Sequence, residues 1–175
     1  MHGYGPEVPG RTAADRHDAM VQSVDREIGR LLNAMPEAQR DRSTIVWVGD
    51  NGTPPSAVRA PFDGDRAKST VYEGGVNVPL VIRSPLVENP GRVSDVLVNT
   101  VDLFATIGDV AGVHLPDDPE LPFDGVSLVP GLSWGKVAPR TLAWTEIFSP
   151  NGRPDGPWAF NRFALRDARL TYIGG

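Results

Sequence analysis

The run Thr44-Ile45-Val46-Trp47-Val48-Gly49, closed by Asp50-Asn51-Gly52, constrains the fold of this chain more than any other stretch. It is short, continuously apolar and rich in β-branched residues. That pattern predicts a strand buried on both faces, as in a parallel sheet flanked by helices. A second such run, Val78 to Ile82, is stopped by Ser84-Pro85. Between the two lie a polar loop, a lysine at position 68 and the turn Glu73-Gly74-Gly75. In an open α/β sheet, ligands gather outside the carboxyl ends of the strands, and Asp50 and Asn51 stand at such an end.

The elements around these strands follow from periodicity. Ala13 to Met35 reads as an amphipathic helix, with Met20, Val21, Val24, Ile28, Leu31, Leu32 and Met35 at three-to-four spacing. Thr12 suits its N-cap and Pro36 its end. Arg92 to Val98 reads as a third extended piece, and Val101 to Ala111 as a helix ending at Gly112. Met1 to Arg11 and the Pro- and Gly-rich stretch from His114 to Gly131 read as loops. Thr141 to Phe148, Arg162 to Arg166 and Arg169 to Ile173 read as strands, the last two joined by a hairpin turn at Asp167-Ala168. Helix, strand, loop, strand, helix and then strands point to a layered α/β domain.

Composition narrows the function classes. The 175 residues are 40% hydrophobic and 22% charged, with a net charge of -5 and no basic block. Nucleic-acid binding is therefore not expected. No apolar run approaches the length of a membrane span, and the first residues show no signal-type apolar stretch. There is no cysteine, so neither a disulfide nor a thiolate metal site can form. Basic residues are nearly all arginine, since only Lys68 and Lys136 are lysine.

Asp50 and Asn51 offer a carboxylate and an amide carbonyl, hard oxygen donors that suit Ca²⁺ or Mg²⁺. Lys68 offers an ammonium that can offset charge on a sulfate or phosphate. Each feature also has a plainer reading. Asp, Asn and Gly are the favoured turn residues, and a lone loop lysine is usually solvated. Two donors also fall short of a shell of about six to eight oxygens. Trp134, Trp144 and Trp158 could line a pocket, although packing is the commoner role of a tryptophan. His2, His17 and His114 fit no ligand pattern.

The order of the pieces resembles the sulfatase family of the alkaline-phosphatase-like superfamily. Members carry a strand ending in Asp-Asn-Gly, then a lysine, then Tyr-Glu-Gly-Gly leading into an apolar strand ending near Pro. Here these are Asp50-Asn51-Gly52, Lys68, Tyr72-Glu73-Gly74-Gly75 and Val78-Pro79. The helix before the strand, the segment Val101 to Ile107, the turn Phe123 to Leu128, Arg140 with Trp144-Thr145-Glu146, and Arg166 to Ile173 are also similar. Ala105 stands where the family usually has Pro, and Thr171 where it has Lys.

The resemblance implies a partial alkaline-phosphatase-like three-layer αβα domain with a largely parallel sheet, plus small C-terminal antiparallel strands. It implies an N-terminal loop over residues 1–12, the rear part of the catalytic domain over 13–135, and the start of an incomplete strand-rich subdomain over 136–175. Asp50 and Asn51 would ligate the active-site cation, most often Ca²⁺, with Mg²⁺ the alternative, and Lys68 would contact the sulfate. The reaction would be hydrolysis of a small-molecule or glycan sulfate ester. The family nucleophile is a formylglycine made from Cys or Ser in a Cys/Ser-x-Pro-x-Arg motif, and these 175 residues contain no such motif. Glu7-Val8-Pro9-Gly10-Arg11 has glutamate at the nucleophile position, which cannot become formylglycine. A fragment is therefore expected, inactive alone and completed by an N-terminal fragment. A related phosphodiesterase or phosphotransferase and a non-catalytic remnant are the alternatives.

Overall fold

The computed structural model describes residues 12–113, 123–134, 140–149 and 160–175. The loop expected over Met1 to Arg11, the first half of the loop expected from His114 to Gly131, and the residues Lys136 and Trp158 lie outside them. The chain divides into two compact units. One comprises Met1–Arg40 with Gly49–Pro79, the other Asp41–Val48 with Leu80–Gly175.

The first unit is led by helix α1, Ala13–Ala34. Thr12 caps it as expected: its hydroxyl accepts from the Asp15 N–H at 3.1 Å, and Asp15 Oδ2 accepts from the Thr12 N–H at 2.9 Å. This reciprocal capping box satisfies donors that the first turn leaves open. Arg59 then ties a loop to this end of the helix, donating to Asp18 at 2.7 Å and to Asp15 at 2.9 Å. The apolar stripe of α1 is not covered as its periodicity suggested. Met20, Val21, Val24 and Leu31 are exposed, and among described residues of the helix only Ala14 is buried. Short helical turns at Pro55–Ala57 and Gly64–Arg66, and a single-turn helix at Glu73–Val76, shape the rest of this unit. Its buried apolar residues, among those described, are Ala14, Ala57, Ala67 and Val71. A short helix at Glu37–Arg42 follows α1 in the chain.

In the second unit, strand β1, Ile45–Val48, pairs with β2, Leu80–Arg83. The pairing is antiparallel, from Ile45↔Arg83 to Val48↔Leu80. This corrects the parallel pairing expected for Thr44 to Gly49. Val48 and Leu80 are opposite each other, so the connection leaves and returns at the same end of the ladder. A crossover to the far end would be needed for parallel strands. Burial on both faces is also not seen: Ile45, Val46 and Trp47 are half-buried and Val48 is exposed. Arg92 to Val98 joins no sheet among the described residues.

Helix α2, Asp102–Val110, forms where expected. It ends in a Schellman arrangement: Gly112 adopts φ +67°, its N–H donates to Asp109 O, and Val113 N–H donates to Gly108 O. The loop expected through Gly131 instead yields a helix, α3, at Val129–Trp134. Ser127 Oγ accepts from the Val129 N–H at 3.2 Å, and Pro130 falls in the first turn, where no intrahelical N–H is needed. Strands β3, Ala143–Ser149, β4, Phe160–Arg166, and β5, Thr171–Gly174, make an antiparallel sheet. Its β4–β5 turn is held by Asp167 Oδ1, which accepts from the N–H groups of Arg169 and Leu170, both at 2.6 Å. Among the described residues, no helix is long and apolar enough to cross a membrane.

Candidate active site

Asp50 follows β1 by two residues in the chain, and Asp50, Asn51 and Lys68 all belong to the first unit. Three local contacts bring their loops together. The Gly52 N–H donates to Gly75 O at 3.1 Å, which sets the Asp-Asn-Gly turn against the Glu-Gly-Gly turn. The Lys68 N–H donates to Thr53 O at 3.0 Å, two residues beyond Asn51. The Gly49 N–H donates to Pro79 O at 2.9 Å, closing the unit where the chain leaves and re-enters it.

The glycines at this crossing are required by space. A Cβ on Gly52 would lie 1.9 Å from Gly74 O, and one on Gly75 would lie 2.2 Å from Thr70 O. Any side chain at either position would force the loops apart. Beneath them Ala67 and Val71 are each 2% exposed, so the loop carrying Lys68 is anchored on both sides of that lysine. Arg66 stands 5.1 Å from the centre of the Tyr72 ring and 3.6 Å from Asp63, a cation–π contact and an ion pair that bridge the loop.

Asp50 and Asn51 are exposed, and Lys68 is half-buried. Backbone contacts thus join the segments that carry a carboxylate, an amide carbonyl and an ammonium. The two oxygen donors fit a hard divalent cation in kind. Among the described residues, no cluster of three His, Cys, Asp or Glu could hold a metal by itself. His17 lies half-buried on α1. Trp144 is 47% exposed and stacks on Phe163 with ring centres 4.9 Å apart, in the second unit.

The second unit holds a different polar centre. Asp102 is fully buried and paired with Arg140, whose Nε lies 2.9 Å from Asp102 Oδ2. Asp102 also accepts from the N–H groups of Asn99 and Val126. Burial raises its pKa, but the Arg140 hydrogen bonds and these N–H groups outweigh that and hold the carboxyl below its ordinary value. The pair pins the segment around Asp124 to α2, since Arg140 Nη2 also donates to Asp124 O at 2.7 Å. An open depression of about 510 Å³ beside Arg140, lined also by Arg92, Asp95 and Arg169, contains none of the three candidate site residues.

A solved structure, BT4656 in complex with its substrate D-glucosamine-2-N,6-O-disulfate, aligns with a TM-score of 0.69 at 27% identity, covering 91% of this chain and 31% of that one. The fold class is the α/β class of the alkaline-phosphatase-like proteins, with small antiparallel strands in the C-terminal part. The sulfatase family model matches residues 2–113. A sulfatase of Formosa agariphila is 33% identical over 133 residues, which are 69% of this chain and 23% of that relative. The sulfatase YdeN of Escherichia coli (strain K12) is 32% identical over 147 residues, 80% of this chain and 25% of that relative. The chain belongs to the sulfatase family. It spans about a quarter of the length of these curated relatives.

Proposed function

We propose that this chain forms part of a sulfuric ester hydrolase. It supplies two cation ligands, Asp50 and Asn51, and one sulfate contact, Lys68. The supporting observation is the crossing at Gly52 and Gly75, which brings the Asp50-Asn51 turn and the Lys68 loop into one unit. Asp50 and Asn51 hold Ca²⁺, or Mg²⁺, and a bound divalent cation supplies charge stabilisation at the sulfate oxygens. Lys68 binds a non-bridging sulfate oxygen and offsets charge as the sulfur–oxygen bond to the leaving alcohol breaks. The products are an alcohol and inorganic sulfate. The 175 residues contain neither cysteine nor a Ser-x-Pro-x-Arg string. A formylglycine nucleophile therefore comes from residues outside them, or from a complementing N-terminal fragment.

Calcium titration by calorimetry tests the reading directly. Two protein ligands predict weak binding, on the order of 10⁻⁴ to 10⁻³ M, that Asp50→Ala abolishes. Equal affinity in chain and variant removes Asp50 from the metal site. In the catalytically complete protein, Lys68→Ala should cut kcat/KM for 4-nitrophenyl sulfate by about a hundredfold or more. A non-catalytic family member is the second reading, favoured by the missing nucleophile motif. Hydrolysis of 4-nitrophenyl sulfate by the wild-type protein would exclude it.

A further inference from the structure

We infer that Thr70 is a positioning residue for Lys68. Its hydroxyl closes the turn that carries the lysine, and thereby fixes where the ammonium can reach. The inference rests on the assignment of Lys68 as the sulfate contact.

The turn spans Ala67 to Thr70, with Lys68 and Ser69 at its centre. Thr70 Oγ1 donates to Ala67 O at 2.7 Å. Ser69 adopts φ +70°, a left-handed conformation that a side chain other than glycine's rarely takes. The Lys68 N–H is bonded to Thr53 O at 3.0 Å. Ala67 on one side and Val71 on the other are buried. Gly75 packs directly beneath, where a Cβ would lie 2.9 Å from Thr70 Oγ1 and 2.7 Å from Ala67 O. Both flanks of Lys68, its own N–H and the turn's closing bond are therefore fixed, and its Cα–Cβ direction is fixed with them.

Lysine is a flexible point charge on a four-carbon stem. A site that needs its ammonium at one place gains by restricting that stem before the substrate arrives. Ser69 holds a costly backbone conformation only because the surrounding contacts over-determine it. The hydroxyl of Thr70 is the one side-chain group in this turn that closes it on itself. Serine retains that hydroxyl. Valine keeps the shape of threonine and removes the donor.

The test uses the full chain labelled with ¹³C-lysine. Only two lysines are present, so the spectrum holds two lysine side chains, and Lys68→Arg identifies the signal of Lys68. Side-chain ¹³C relaxation reports its mobility on the picosecond-to-nanosecond scale. In wild type and Thr70→Ser the Lys68 Cα and Cβ, whose direction the turn sets, should be restrained. In Thr70→Val and Thr70→Ala their order should fall, while the amide spectrum elsewhere is kept. Inorganic sulfate should move the Lys68 signal in wild type and Thr70→Ser, with apparent affinity weakened about threefold or more in Thr70→Val, the worth of one hydrogen bond. Unchanged Lys68 order in both hydroxyl-free variants would overturn the inference. So would loss of the fold in both, which would make Thr70 a folding residue. If sulfate leaves the wild-type Lys68 signal unmoved, the sulfate role of Lys68 fails, while the comparison of order still decides the role of Thr70.

Discussion

At Gly52 the backbone of the Asp-Asn-Gly turn passes so close to Gly74 that a single methyl would sit 1.9 Å from its carbonyl oxygen. Gly52→Ala should destabilise the first unit by roughly 1–3 kcal/mol, the usual cost of overpacking, and, under the proposed metal assignment, weaken calcium binding through displacement of Asp50 and Asn51. Thermal melting and calcium titration check the two effects together. An unchanged melting temperature would show that the loops give way freely. Asp102 is a residue of another kind, buried and ionised against Arg140. Its pKa lies below the ordinary 3.8, so its stabilising share is complete well above that value. That share is lost as pH falls through the lower, folded-state value. Asp102→Asn should therefore destabilise the protein at pH 7, by about 3–5 kcal/mol for a broken buried pair. The difference between variant and wild type should shrink as the pH falls through that lowered value. Melting curves at several pH values would show it, and a difference independent of pH would mean that the pair is not ionised. Asp50, Asn51 and Lys68 are legible as candidates from residue type and order alone. Thr70 and the main-chain carbonyl of Thr53 are not, because neither a hydroxyl that closes a turn nor a carbonyl that meets a distant N–H carries a mark in sequence.

Helix α1 and the hairpin β4–β5 form where period and turn chemistry put them, since each is stabilised by contacts within a few residues. Thr12 and Asp15 close the capping box, and Asp167 closes its turn through two backbone N–H groups. Thr12→Ala should cost about 1 kcal/mol and lower the melting temperature by a few degrees. A shift within error would mean that Arg59, which also grips Asp15, holds the helix end unaided. The ladder of β1 and β2 shows the opposite case. A buried apolar run of four to six residues is compatible with parallel or antiparallel pairing. The direction is set by the 49–79 connection returning to the end it left. Helix α3 escapes a reading of the sequence because Pro130 and Gly131 are loop formers. A serine hydroxyl and a first-turn proline make that short helix feasible.

Across the molecule, large apolar side chains remain in water. Met20, Val21, Val24 and Leu31 on α1 are 46%, 50%, 46% and 60% exposed. The three-to-four spacing of this stripe suits burial, and the chain spans about a quarter of the length of its curated relatives. Replacing Val24 and Leu31 by lysine should change stability by no more than about 0.5 kcal/mol each, as for surface positions. It should also reduce binding of the dye ANS, a probe of exposed apolar surface. A large loss of stability in that double variant would show that the stripe is already packed. The family is legible in the amino-acid order because its marks are local: Asp50-Asn51-Gly52, Lys68 and Tyr72-Glu73-Gly74-Gly75 follow one another along the chain.

Local sequence was enough to specify the amphipathic helix, the two apolar strands, the C-terminal hairpin and the set of polar residues available for chemistry. These depend on side-chain period, capping and turn preference, which act over a few residues. Folding of the whole chain was needed to make β1 and β2 antiparallel, to interlock Gly52 with Gly75, to hold the Lys68 turn between Thr53 and Thr70, and to bring Asp102 to Arg140, 38 positions away. Apart from the short-range Thr70 bond, each of those depends on which atoms far apart in the chain come within about 3 Å, a distance fixed by how the entire chain closes rather than by any one stretch of it.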